Sequence, residues 1–346
     1  MNVSRLYLFL TMILLISLVL VSNGLTQLAL GNINTTSSIT DLPPLFVLST
    51  RINPSFDPAQ LPLLVTYATS KFNGCPSEIA IYIHGYNRDE AEAGEEFNRI
   101  QMSLKSNNST IPLIGFSWVS DTDWIWAKKN AKDSGIELAK FIDEFKKSSC
   151  SDSSIRIIAH SLGAETVNSA LTSLYAKQLS DRNGNDSKMI KSVHLLGAAI
   201  NNNMIEKNSL FGNATEQIVE NFYNLFDSKD DGLQFNKWYE NGIFDLGLLG
   251  VPPENATLKY HPLGLVGISS EKRPANYNET DVASEIPAIS DADGDGNIEE
   301  CFEEYKQALE EGNNHCGYIG FREPFSPQLF NDGAINVLVE DWNSQG

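Results

Sequence analysis

Short runs of apolar, often β-branched residues recur along the chain at Leu45 to Leu48, Ile79 to Ile83, Leu113 to Phe116, Ile155 to Ile158, Ser192 to Leu196 and Glu220 to Phe226. Continuous runs of this length suit strands buried on both faces. Helical spacing separates several of them, over Ala91 to Lys105, Ala127 to Phe145 and Ala164 to Lys177. In the second of these, Ala131, Ile136, Leu138, Ala139 and Ile142 recur with Lys and Glu between them. Alternating strand and helix predicts an α/β fold, a mostly parallel central sheet with helices on both faces. From Gly232 to Asn314 the periodicity weakens and Pro, Gly, Asn and Asp rise, which predicts a decorated insertion over about residues 234–313.

The N-terminus breaks this pattern. One cation, Arg5, precedes an apolar run from Leu6 to Val21 and then Ser22, Asn23 and Gly24, so residues 1–24 read as a signal peptide or an N-terminal membrane anchor. Residues 25–44, rich in Asn, Thr and Ser, read as a tether, and residues 45–346 as the folded domain. Either reading of the leader places the domain outside the cytoplasm, secreted or tethered to a membrane. Sequons at Asn34, Asn107, Asn108, Asn185, Asn213, Asn255 and Asn278 fit a glycosylated surface.

Composition narrows the partners. A formal net charge of −19 over 346 residues argues against nucleic acid, whose binding depends on clustered Lys and Arg. Four cysteines in an exported chain suggest two disulfides. Cys75 and Cys150 precede the runs at Ile79 and Ile155 by similar offsets, so neighbouring parallel strands would bring the two thiols together. That pairing leaves Cys301 for Cys316.

The chemistry gathers at Ser161. The run Ile155 to Ile158 continues through Ala159-His160-Ser161-Leu162-Gly163 directly into a helical period, a strand-to-helix elbow with small residues two before and two after the serine. Such a turn exposes the hydroxyl as a nucleophile and aims the backbone N–H of Leu162 at a developing oxyanion. Upstream, Ile79 to Ile83 ends in His84-Gly85-Tyr86-Asn87, where the backbone N–H of Tyr86 would be a second oxyanion donor.

These segments, with Gly115-Phe116-Ser117-Trp118, Trp124 and Leu195-Leu196-Gly197-Ala198-Ala199, fall in an order that resembles α/β-hydrolase-fold serine esterases and lipases, particularly a poorly characterised prokaryotic group. The resemblance implies the α/β-hydrolase fold, a small-molecule or lipid ester as substrate, and a catalytic acid after the strand at Glu220 to Phe226. Asp230 fits that place best, with Asp231 and then Asp227 as competitors. It implies a late histidine as base, and Asn314-His315-Cys316-Gly317-Tyr318 matches better than Tyr260-His261-Pro262. The division of labour that follows is Ser161 as nucleophile, His315 as base and Asp230 as acid, with no cofactor needed for catalysis.

One motif stands apart. Asp291, Asp293, Asp295 and Asn297 supply oxygens at alternate positions around Gly296, as in the first part of an EF-hand loop, although Phe302 occupies the twelfth position. This loop is expected to hold a structural calcium ion. A calcium-dependent surface binding module on the same scaffold is the alternative to an esterase, and a peptidase or thioesterase would use the same three residues.

Overall fold

The computed structural model describes residues 42–181, 188–241, 259–286, 315–323 and 326–345. The N-terminal leader and tether up to residue 41, the loop carrying Asp291, Asp293, Asp295 and Asn297, and Cys301 lie outside the described residues. Among those described, no helix is long and apolar enough to cross a membrane.

Seven parallel strands form the central sheet: β1 (Leu45–Ser49), β2 (Glu78–Ile83), β3 (Leu113–Ser117), β4 (Ser154–His160), β5 (Ile190–Leu196), β6 (Val219–Phe226) and β7 (Tyr277–Asp281). Their order across the sheet is β1-β3-β2-β4-β5-β6-β7. Residues of β2, β3, β4 and β5 are almost wholly buried, because helices cover both faces and no alternation with solvent is required. β7 was not apparent from hydrophobicity: its Tyr-Asn-Glu-Thr-Asp is polar and mostly exposed, as an edge strand permits. It lies within the stretch 234–313 and carries the sheet one strand beyond β6.

Two cores follow from the two faces. On one, α1 (Leu61–Lys71), α3 (Trp124–Lys147), α4 (Gly163–Ser180) and α5 (Leu210–Ile218) pack on Ile79, Ile81, Ile83, Ile155 and Ile157. On the other, α2 (Glu90–Ser106) and α8 (Ile335–Ser344) pack on Ala80, Tyr82 and Ile158 through Phe97, Ile100, Leu338 and Trp342. Two shorter helices, α6 (Asp231–Glu240) and α7 (Leu263–Val266), follow β6. A small antiparallel pair, β8 (Phe321–Glu323) and β9 (Ser326–Asn331), precedes α8. The start of α2 is fixed by a capping box: Asp89 accepts from Ala91 and Glu92, and the Glu92 carboxylate accepts from the Asp89 N–H at 2.6 Å.

Because β2 and β4 are parallel neighbours in register from Glu78 with Ser154, the residues before them meet at the N-terminal edge of the sheet. Cys75 and Cys150 are joined there by a disulfide, with Cα atoms 5.1 Å apart. Cys316 is also disulfide-bonded.

Three histidines are sealed into this sheet as neutral rings. Burial lowers His84 to a pKa of about 4 and His160 to about 3, and it lowers His194 below its ordinary value. The unfolded chain binds these protons near the ordinary value of 6.5 while the folded chain does not, so stability falls as pH drops below 6.5. Each group contributes a slope of about 1.4 kcal/mol per pH unit at full effect. Urea unfolding followed between about pH 7 and about pH 4.5 is expected to show a midpoint that declines steadily, and His194→Asn or His84→Asn, where folded, is expected to flatten that decline.

Candidate active site

The candidate site lies at the C-terminal edge of the sheet, where the strands β2, β4, β5 and β6 release the loops that follow them. Ser161 follows β4 with φ of +54°, a left-handed conformation that costs a non-glycine residue energy and must be held by its surroundings. It is held by its own backbone: its N–H donates to the Leu196 carbonyl at 2.9 Å, and its carbonyl accepts from Ala199 at 3.1 Å and Ala164 at 3.2 Å. The elbow also presses on the end of β2. A Cβ on Gly163 would lie 2.8 Å from the Ile83 carbonyl oxygen, and one on Gly85 would lie 2.9 Å from the Ser161 Cβ, so neither position admits a side chain without displacement.

The loop after β2 is fixed at both ends. His84 is buried, and its Nε2 accepts from the Trp118 N–H at 3.1 Å, which leaves Nδ1–H to donate to the Gly85 carbonyl at 2.9 Å. The Trp118 indole stacks on it and donates to the His84 carbonyl at 3.0 Å. Further on, the N–H of Asn87 donates to the Ser120 carbonyl and that of Arg88 to the Ser120 hydroxyl, while the Arg51 guanidinium holds the Arg88 carbonyl at 2.5 Å. Tyr86 therefore sits in a rigid loop facing the elbow, its ring packed edge-on against Trp124 at 5.0 Å.

The carboxylate that meets the late histidine is Asp230, at the end of the turn after β6. Its Oδ2 accepts from His315 Nδ1 at 2.7 Å and from the Tyr318 hydroxyl at 3.1 Å, and its Oδ1 accepts from the Leu233 N–H at 2.8 Å. Both members of the pair are buried. Asp231 turns instead to the main chain, its Oδ1 accepting from the His315 N–H at 3.3 Å, and Asp227 accepts from the Lys229 N–H at 2.8 Å. His261 sits away from this cluster, its backbone paired with Asn201 and Asn202.

Burial works against a charged His315, but Asp230 and then Asp231 outweigh it, so the ring holds its proton above the ordinary histidine value of 6.5. Burial, aided by the Asp230 charge, raises Asp231 to about 6. Since a carboxylate only accepts, Nδ1 of His315 carries the hydrogen and Nε2 of the neutral ring is the basic atom. Ser161, His160, His315, Cys316, Tyr86 and Arg88 line one small pocket, so the basic ring and the serine share it.

The model of a family described as alpha/beta hydrolase of unknown function (DUF900) matches residues 71–295, more than half of the chain. The chain belongs to this family. The matched span includes Ser161 and Asp230 and ends before His315. No curated protein sequence matches this hydrolase significantly. Among solved structures, Trichoderma reesei cutinase in complex with a C11Y4 phosphonate inhibitor is 18% identical, with a TM-score of 0.25 over 46% of this chain and 72% of that one, a likeness too slight to carry an argument.

The hydrolase also has neighbours at its pocket that no motif announced. Arg88 donates to Glu96 at 2.6 Å and to the Cys316 sulfur at 2.9 Å, and Glu96, wholly enclosed, accepts a further bond from the Tyr82 hydroxyl at 2.7 Å. Burial opposes the Glu96 charge, yet Arg88 more than compensates and holds the carboxyl well below the usual range. Tyr82 reaches this contact because it lies on the α2 side of β2. Removing the charge facing Arg88 with Glu96→Gln is expected to destabilise the fold by about 3 kcal/mol in urea unfolding, whereas an exposed pair such as Lys129 with Asp133 is expected to contribute less than about 1 kcal/mol.

Proposed function

We propose that the chain is an exported serine hydrolase that cleaves carboxylic esters through an acyl-enzyme on Ser161. The observation that carries this reading is the buried hydrogen bond from His315 Nδ1 to Asp230 Oδ2, made by a ring that lines the same pocket as a strained serine at a strand-to-helix elbow. In this reading His315 Nε2 takes the Ser161 proton as Oγ attacks the ester carbonyl, and returns it to the departing alcohol as the C–O bond breaks. Water then repeats the sequence on the acyl-enzyme and releases the acid. Asp230 selects the tautomer that leaves Nε2 basic and stabilises the imidazolium formed on proton transfer.

The backbone N–H of Leu162, at the start of α4, and that of Tyr86, across the pocket, are the proposed oxyanion donors, each worth on the order of 3 kcal/mol in the transition state. An apolar group on the substrate is supported by Trp124, which packs with Ala199, Leu233 and Leu265 beside the elbow. The Cys75–Cys150 disulfide supports export, since such bonds persist in oxidising compartments.

The full-length chain is expected to label with a fluorophosphonate probe and to hydrolyse p-nitrophenyl esters, with both activities absent from Ser161→Ala. Labelling that survives in Ser161→Ala, or none in folded wild-type protein, would overturn the assignment. The acid limb of kcat/KM reports protonation of the free base, so activity is expected to fall with decreasing pH about a midpoint above 6.5, because Asp230 and Asp231 raise His315. A midpoint below the ordinary histidine value would contradict His315 as the base.

A further inference from the structure

His315 returns to the site 84 residues after Asp231 and 155 after His160, yet side chains of both hold its main chain. His160 Nε2 lies 2.9 Å from the His315 carbonyl oxygen. A carbonyl only accepts, so Nε2 carries the hydrogen and Nδ1 is left as a lone pair. That Nδ1 is buried and makes no hydrogen bond among the described residues. Leaving a buried acceptor unsatisfied is unfavourable, and a Leu or Phe at this position would avoid the penalty. The imidazole is therefore explained by its Nε2 contact, which an apolar side chain could not make.

On the other side of the residue, Asp231 Oδ1 accepts from the His315 N–H at 3.3 Å. We propose that His160 and Asp231 are positioning residues that clamp the main chain of His315 from its carbonyl and its amide, each acting from the position adjacent to another member of the proposed Ser161-His315-Asp230 set. This deepens the reading above and rests on it for its catalytic consequence. The hydrogen bond to Asp230 orients the imidazole ring, but a ring can pivot with its backbone while keeping one bond. Two main-chain bonds fix the Cα, and with it the distance from Nε2 to the Ser161 hydroxyl, where a displacement of about 1 Å costs on the order of a hundredfold in rate.

Two further contacts fit the same role. The His160 ring packs on the His315 ring with centroids 4.8 Å apart, so the clamp also limits tilting. Burial, with the neighbouring His315 charge acting in the same direction, keeps His160 neutral down to about pH 3, and the donor persists over the working range.

The test compares His160→Leu and Asp231→Leu, which remove the contacts, with His160→Gln, whose amide nitrogen reaches where Nε2 stood, and Asp231→Asn, which keeps an acceptor. Steady-state kinetics on a p-nitrophenyl ester in the full-length chain, normalised by fluorophosphonate titration, are expected to show kcat lowered about tenfold or more in the Leu variants with KM little changed. His160→Gln and Asp231→Asn are expected to recover most of that loss. Asp231→Asn is expected to move the acid limb of kcat/KM to lower pH, because its charge helps to raise His315. Wild-type kcat in both Leu variants, or Gln and Asn variants as slow as the Leu ones, would overturn the clamp.

If the Leu variants do not fold, His160→Asn serves instead: its shorter amide matches Nδ1, and a kcat equal to that of His160→Gln would overturn the proposal. Protection of the His315 amide against hydrogen exchange reads the clamp without catalysis. Protection lost in Asp231→Leu and kept in Asp231→Asn would uphold the contact even in a chain that hydrolysed nothing, and unchanged protection in both would reject it. Failure of the wild-type chain to label would instead count against the proposed function.

Discussion

A carboxylate taken wholly out of water must be repaid in hydrogen bonds, and Asp230 is such a group. Its three donors come from His315, from Tyr318 in the same one-turn segment, and from Leu233 in the first turn of α6. Satisfying one charge thus ties the end of β6, the start of α6 and the late histidine turn into a single unit. Gly197 belongs to it as well, since a Cβ there would lie 2.7 Å from the Tyr318 ring and 3.2 Å from Asp230 Oδ2. The histidine turn is anchored from behind by Ser103 of α2, which donates to the Ile319 carbonyl at 2.8 Å, and by Ala334, which donates to the Tyr318 carbonyl at 3.0 Å.

The parallel sheet makes this convergence possible. Strands running in one direction release the loops that follow them at one edge, so residues far apart in sequence meet there without any long-range feature to announce them. β2 supplies the loop with Tyr86 and Arg88, β4 the elbow, β5 the turn at Gly197 and Ala199, and β6 the aspartates. The opposite edge receives the segments that lead into the strands, and there the Cys75–Cys150 bond joins those of β2 and β4. Site and staple therefore occupy opposite ends of the same two strands.

Three histidines around the elbow play three different parts. His84 is a neutral bracket between β2 and β3, His160 a neutral donor to the main chain, and His315 a ring whose proton affinity is raised by two carboxylates. Residue type alone would make each a candidate base. Their partners separate them: a backbone N–H on His84, a carbonyl on His160 and a buried carboxylate on His315.

Much of the scaffold is legible in the sequence because its physics is local. Continuous apolar runs at Ile79, Leu113, Ile155 and Ser192 become doubly covered strands, and the small residues around Ser161 mark an elbow that only small residues permit. The similar offsets of Cys75 and Cys150 are informative for the same reason, once the two strands are parallel neighbours. β7 escapes this reading because an edge strand owes its pairing to β6 and not to its own hydrophobicity. The preference for Asp230 over Asp231 and Asp227 rests on the resemblance and not on local pattern, since adjacent carboxylates in one turn differ only in direction, and direction is set by Tyr318 and His315 arriving from 85 or more residues away. Local pattern determined which elements form and where a nucleophile could stand; only the packing of distant turns at one sheet edge decided which carboxylate, which ring nitrogen and which neighbouring side chains meet it.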